Sequence, residues 1–289
     1  RRFAPKYGMP ESFSKDYLLY APHPPASTLA QWLEESNRIT RQILSNISVA
    51  DQIVPQLNIL NPPLWELGHL TWFHEFWVHR DGQESKPSFI KNADYLFNSS
   101  EMAHQDRWST PMPSLDNLLE YNYSVVSSTQ DLLRTPIDNK AAYFIQLAIL
   151  HQDMHNEAFA YMWQTMGRSM PFAPFTKECK LESNPQTWIH FPKTTIQAGS
   201  EQSSGFIFDN EKWAHSIDIP AFDIASTPVT NGDYLEFLRS PGNLAQSAPV
   251  APPSHWKKEG GAWLERIFNL WLPLNHASAL RHISYLDAQ

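Results

Sequence analysis

His151 and His155 stand four residues apart, with Glu157 two positions further on. On an α-helix such a spacing puts both imidazoles on one face, within reach of a single ion. Neutral imidazole is a good ligand for iron, zinc, copper or nickel. With 12 histidines in the chain, such a pair also arises by chance, and as a bare pattern it more often marks two structural histidines four apart. Residue 152 is Gln, where a zinc peptidase helix would carry Glu beside the first histidine, so a metalloprotease reading is disfavoured. Glu157 could accept a ligand N–H or could lie on a solvated helix face. His69 follows Gly68, a residue that leaves room for a close neighbouring backbone. His74, five positions on, falls about 140° away around a helix and reads as structural. His79 reads as a dipole partner near a helix C-terminus.

These residues need helices to hold them, and the hydrophobic periodicity supplies four. Residues 27–48 open with Ser27 and Thr28, a cap signal, and repeat Leu29, Trp32, Leu33, Ile39, Ile43, Leu44 and Ile47 at helical spacing. Residues 62–80 begin with Pro and carry His69. Residues 114–133 start with the cap SLDN, and residues 138–166 form the longest apolar helix, carrying His151 and His155. Residues 81–113 read as a loop-like crossover, which makes the four helices a bundle. Residues 1–26 read as an extended arm. After Met170 the chain becomes Pro-broken and then strand-like, with one short helix from Asn231 to Leu238 and Trp256, Trp263 and Trp271 between Gly and Pro breaks. The expected fold class is α+β, with a helical domain over 1–175 and a second domain over 176–289.

Composition narrows the function classes. The 289 residues are 42% hydrophobic and 13% aromatic, enough for a sizeable core, and the 11 Trp suit pockets as well as cores. A formal net charge of −8 makes duplex nucleic acid a poor partner. The one cysteine, Cys179, excludes a disulfide framework and a thiolate metal cage, and its linker position suggests an inert thiol. Such cysteine usage fits a reducing cytoplasm. No run approaches the ~20 apolar residues of a membrane span, and the basic start RRFAPKYGMPESF has no apolar run behind it.

Longer stretches carry a resemblance. NPPLWELGHLTWFHEFWVHR and LAILHQDMHNEAFAYMWQTMG resemble the two metal-binding helices of a DinB-type bundle. GFIFDNEKWAHSIDIPAFDIASTPVTNGDYLEFL resembles the opening of a formylglycine-generating-enzyme-like, C-type-lectin-like domain. That order of domains is similar to the ergothioneine sulfoxide synthases (EgtB-type) and their ovothiol and selenoneine synthase relatives (the last SenA-type). The resemblance implies that His69, His151 and His155 hold iron(II). It implies an O2-dependent enzyme that joins sulfur or selenium to the imidazole of hercynine, the trimethylated histidine betaine. The implied donor is γ-glutamylcysteine, cysteine or a selenosugar. The crossover segment LFNSSEMAHQDRWSTPMP has Arg107 alone where the sulfur-using branch is Arg-rich, which leans toward selenium. His104 and Arg107 are the donor-binding candidates, with ordinary loop hydrogen bonding as the alternative. By the same resemblance a catalytic Tyr and the betaine-binding residues would lie past Gln289, with the second domain about half complete. Two other functions stay open: a zinc- or nickel-dependent thiol transferase, and a binding protein with a structural metal. A formylglycine-generating activity is not expected, because it needs paired cysteines.

Overall fold

The computed structural model describes residues 23–45, 47–169, 186–202, 205–244 and 249–289. Cys179, the expected arm before residue 23 and the expected domain boundary near residue 175 lie outside these. Helices and antiparallel sheets make up the described chain, and it divides into two compact units. The first runs to Met162 and takes in Gly199–Ala214; the second holds Trp163–Ala198 and His215–Gln289.

The first unit is built on α1 (Ala26–Leu44), α2 (Pro63–His74), α3 (Ala93–Phe97), α4 (Leu115–Leu132) and all but the last four residues of α5 (Asn139–Met166). The cap signals act where a short polar side chain meets free backbone N–H groups. The Ser114 hydroxyl accepts from Asn117 N, and Asp138 accepts from Ala141 N at 2.7 Å. Pro63 occupies the first turn of α2, where its missing N–H costs nothing. α1 departs from expectation. It starts at Ala26 with Pro25 before it and no side-chain cap, so Ser27 and Thr28 lie inside its first turn. It stops at Leu44, short of residue 48.

Leu29 and Leu33 of α1 pack with Val126 of α4, Leu133 just beyond it, and Ala142, Ile145 and Ile149 of α5. Each buried aliphatic side chain of this kind contributes roughly 1.5–3 kcal/mol. Polar cross-links fix the register. Thr40 donates to Asn156 at 2.7 Å and accepts from Gln152 at 2.8 Å, tying α1 to α5. Asn122 donates to Thr71, tying α4 to α2.

Apolar residues surround α2 on every side, and nearly every residue of it is buried, the polar Glu66, His69, Thr71 and His74 included. It continues into a wider π turn over Glu75–His79. Behind that turn the buried Arg80 makes a bidentate contact with Asp94 at 2.8 Å, and Tyr121 and Ser88 bond the Glu75 carboxylate. The crossover over 81–113 is less loop-like than expected. It contains α3 and a 3-10 turn over His104–Trp108. α3 is anchored to α2 by two indole N–H groups, Trp65 to Leu96 O and Trp72 to Asp94. His74 is structural, as its position implied: Nε2 donates to the Thr129 hydroxyl at 2.9 Å. His79 bonds the same hydroxyl at 2.8 Å. Burial lowers its pKa, so a cationic dipole partner is the wrong description.

The second unit has three small antiparallel sheets. β1 (Trp188–Phe191) pairs with β4 (Phe222–Ala225), and β2 (Thr194–Ala198) with β3 (His215–Ile219). β5 (Trp256–Glu259), β6 (Ala262–Ile267) and β7 (Leu270–Pro273) form a meander. α6 (Asn231–Arg239) opens with a reciprocal cap between Thr230 and Asp233. Its Tyr234 and Leu235 pack with Trp256 and Leu274 into a small core. No helix among the described residues is long and apolar enough to cross a membrane.

Candidate metal centre

α2 and α5 carry His69, His151 and His155 to one point. One nitrogen of each lies within 4.8 Å of the other two, the one such cluster of three or more His, Cys, Asp or Glu among the described residues. Ring centroids are 5.3 Å apart for His69 and His151, 5.0 Å for His69 and His155, and 4.5 Å for His151 and His155.

Hydrogen bonds set the tautomers. His69 Nδ1 lies 2.8 Å from Phe97 O, an acceptor, so Nδ1 carries the proton and Nε2 keeps its lone pair. His155 Nδ1 lies 2.5 Å from the Glu66 carboxylate, which leaves its Nε2 in the same condition. That Nε2 faces His151 Nε2 at 3.2 Å, while His151 Nδ1 is buried with no partner. Whichever tautomer His151 adopts, one of its nitrogens is poorly matched, a mismatch of about 1–3 kcal/mol in a buried site. A cation among these Nε2 atoms would give their lone pairs a common partner, so the donor set fits a metal ion. Burial pushes the His69 pKa down to about 3, and a proton on the neighbouring His155 would repel one there. Burial likewise lowers that of His151 well below the usual range, with His155 and His69 next in weight. Both rings are therefore neutral near pH 7, the state that ligates metal.

Aromatic faces hold the rings in place. Trp65 stacks on His69 at 4.7 Å and 8°, and Phe73 stacks on His151 at 3.7 Å and 14°. Each lies four positions from His69 along α2, hence on its face. The Arg107 guanidinium also lies over Trp65, 3.7 Å from a ring centroid.

Glu157 does not back a ligand. It is exposed on α5, and the carboxylate on His155 is Glu66 of α2. Two positions beyond His155 is about 200° around the helix, the opposite face. His104 donates to Leu60 O at 2.9 Å and stands edge-on to Trp108, which matches the loop-bonding alternative. Arg107 donates to Asn61 Oδ1 at 2.7 Å, and its Nε is buried without an acceptor. Glu66, Asn61, Trp65 and Phe73 were not singled out from sequence. The available signal was Glu66 itself, the one acid in the mostly apolar run PPLWELGHLTW, three residues before His69.

No family model matches the sequence. Individual relatives do. The chain is similar to a hercynine oxygenase of Mycobacterium tuberculosis, 24% identical over 250 residues, covering 80% of this chain and 57% of the relative. A hercynine oxygenase of Mycolicibacterium smegmatis is 26% identical over 220 residues, covering 70% and 51%. Ergothioneine biosynthesis protein 1 of Schizosaccharomyces pombe is 23% identical over 308 residues, covering 89% and 38%. The chain thus spans little more than half the length of the hercynine oxygenases it matches.

Proposed function

We propose that this chain holds the iron(II) centre of an O2-dependent synthase that forms a carbon–selenium or carbon–sulfur bond on the imidazole of hercynine. The observation that carries the proposal is the convergence of His69, His151 and His155 in a chain whose relatives are named hercynine oxygenases. His69, His151 and His155 would be the ligands. Three protein ligands leave further coordination positions open, as a catalytic centre needs. Bound there, iron(II) would supply the one-electron chemritry through which O2 reacts with closed-shell substrates. 

The residues around the centre have definable tasks. Phe97 O and Glu66 keep two of the imidazoles in the ligating tautomer. Trp65 and Phe73 stack on the ligand rings and resist their rotation. Arg107 is a cation whose Nε–H remains to be matched, near enough to Trp65 and Asn61 to orient an oxygen-rich donor. One arginine offers little for a donor with two carboxylates, so an uncharged selenosugar is favoured over γ-glutamylcysteine.

The test is anaerobic reconstitution of the full-length protein with iron(II), then O2 with hercynine and each of selenosugar, γ-glutamylcysteine and cysteine. Product is expected with at least one donor, best with the selenosugar, and none from His155→Ala. Iron-loaded protein that yields no product with any of the three would sink the proposal.

A further inference from the structure

Glu66 is 1% exposed, and a carboxylate in such surroundings is costly unless its oxygens are bonded. Both are. One accepts from His155 Nδ1 at 2.5 Å and the other from Asn61 Nδ2 at 2.8 Å. Asn61 is oriented in turn, because its Oδ1 accepts from Arg107 at 2.7 Å. A hydrogen-bonded chain therefore runs from Arg107 through Asn61 and Glu66 to His155. The other two rings lack this support: His69 leans on a neutral carbonyl, and His151 Nδ1 has no partner.

We infer that Glu66, oriented by Asn61, is the positioning residue of the three-histidine centre, fixing His155 with Nε2 toward the metal and setting a full negative charge behind that ligand. The inference rests on the reading that these histidines hold a divalent metal. A carboxylate hydrogen-bonded to a ligand imidazole locks its tautomer and raises its donor strength, and losing such a partner commonly weakens metal binding 10–100-fold. Three neutral imidazoles leave both charges of a divalent ion uncompensated, whereas Glu66 cancels one inside the same buried pocket.

The geometry of Asn61 supplies a way to separate charge from hydrogen bonding. In Glu66→Gln alone, the new amide N–H₂ meets the N–H₂ of Asn61. Turning Asn61 around only moves the donor–donor conflict to Arg107. Adding Asn61→Asp removes it: the chain of hydrogen bonds is complete again and the net charge is unchanged, but the charge sits one residue further from His155. The probe is Co(II) alone, followed by visible absorption and by competition with a chelator, with thermal melts of the metal-free proteins alongside. Glu66→Gln is expected to melt lower and to bind Co(II) about 10–100-fold more weakly. The double variant is expected to melt like wild type and still bind about tenfold more weakly. A readout without metal is the imidazole proton spectrum. The His155 Nδ1–H should give a slowly exchanging, downfield resonance in wild type that disappears in Glu66→Ala. A double variant that binds Co(II) as tightly as wild type, or a His155 resonance unmoved by Glu66→Ala, overturns the role of Glu66. Wild-type protein that takes up no Co(II) overturns the metal reading itself, and this role with it.

Discussion

Thr129 shows how one side chain decides the state of two others. Its hydroxyl donates to Val125 O at 3.1 Å, so its only proton is committed. His74 and His79 both approach the same oxygen, so both must be donors through Nε2. Burial pushes the His74 pKa down to about 3 and also lowers that of His79. An unfolded histidine takes a proton near pH 6.5, whereas folded His74 resists it until about 3. The unfolded chain therefore binds more protons in that window. Stability is complete above about pH 6.5 and is lost as pH falls toward 3. Between pH 7 and 5 the loss from one such group is about 2 kcal/mol. Urea melts at the two pH values should show it, and His74→Gln, which keeps an N–H for Thr129, should remove about that share. An unchanged pH dependence in His74→Gln would mean that His74 is protonated in the folded protein. None of this was legible beyond the placement of His74 off the ligand face. A shared hydroxyl 55 residues away is a tertiary fact that helical spacing does not carry. Glu157 failed for a different reason: its proximity in sequence hid the turn of the helix, which gives the neighbouring carboxylate to α2.

At the scale of elements, the close approach of α2 and α3 runs through Gly68. A Cβ on Gly68 would stand 2.0 Å from the Phe97 ring, and Phe97 is fully buried. The ring would have to move, and Phe97 also supplies the carbonyl that sets the His69 tautomer. Gly68→Ala should therefore destabilise the fold by about 1–3 kcal/mol through overpacking. It should also weaken Co(II) binding, whereas an ordinary packing variant would affect only stability. Adding Phe97→Leu opens space for the methyl and should recover most of both. Denaturant melts and Co(II) titration of the single and double variants check this, and full metal affinity in Gly68→Ala would break the link between Phe97 and His69. The glycine's need for room was visible in the sequence, but its neighbour is a phenyl ring rather than backbone. α3 itself was hidden because it is only five residues long, and it begins after Asn92, whose backbone is left-handed at φ +60°. The four long helices were readable from their runs of apolar residues, reinforced by the cap at Ser114 and the Pro that opens α2, although the expected cap at Ser27 and Thr28 did not form. The π turn was not, since it depends on Arg80, Asp94 and Glu75 meeting across the crossover.

At the scale of the whole molecule, the three proposed ligands all belong to the first compact unit. They join two helices far apart in sequence, and α2 is already the most buried of them. A metal that binds the folded state alone stabilises it by about 2.7 kcal/mol at a hundredfold excess over its Kd. The gain should concentrate where the ligands restrain backbone, since local opening there must release the ion first. Hydrogen exchange with and without Co(II) should therefore slow most over residues 63–79 and 147–159. The effect should be smaller over β5–β7, whose core of Tyr234, Leu235, Trp256 and Leu274 includes no ligand. His155→Ala should abolish the slowing in both helices together, because the two segments are linked through one ion. If slowing survived in α2 after His155→Ala, Co(II) would be held by α2 alone or elsewhere, and the three-histidine centre would be the wrong assignment. Equal slowing in both compact units would instead show that metal binding stabilises the chain as a single cooperative block.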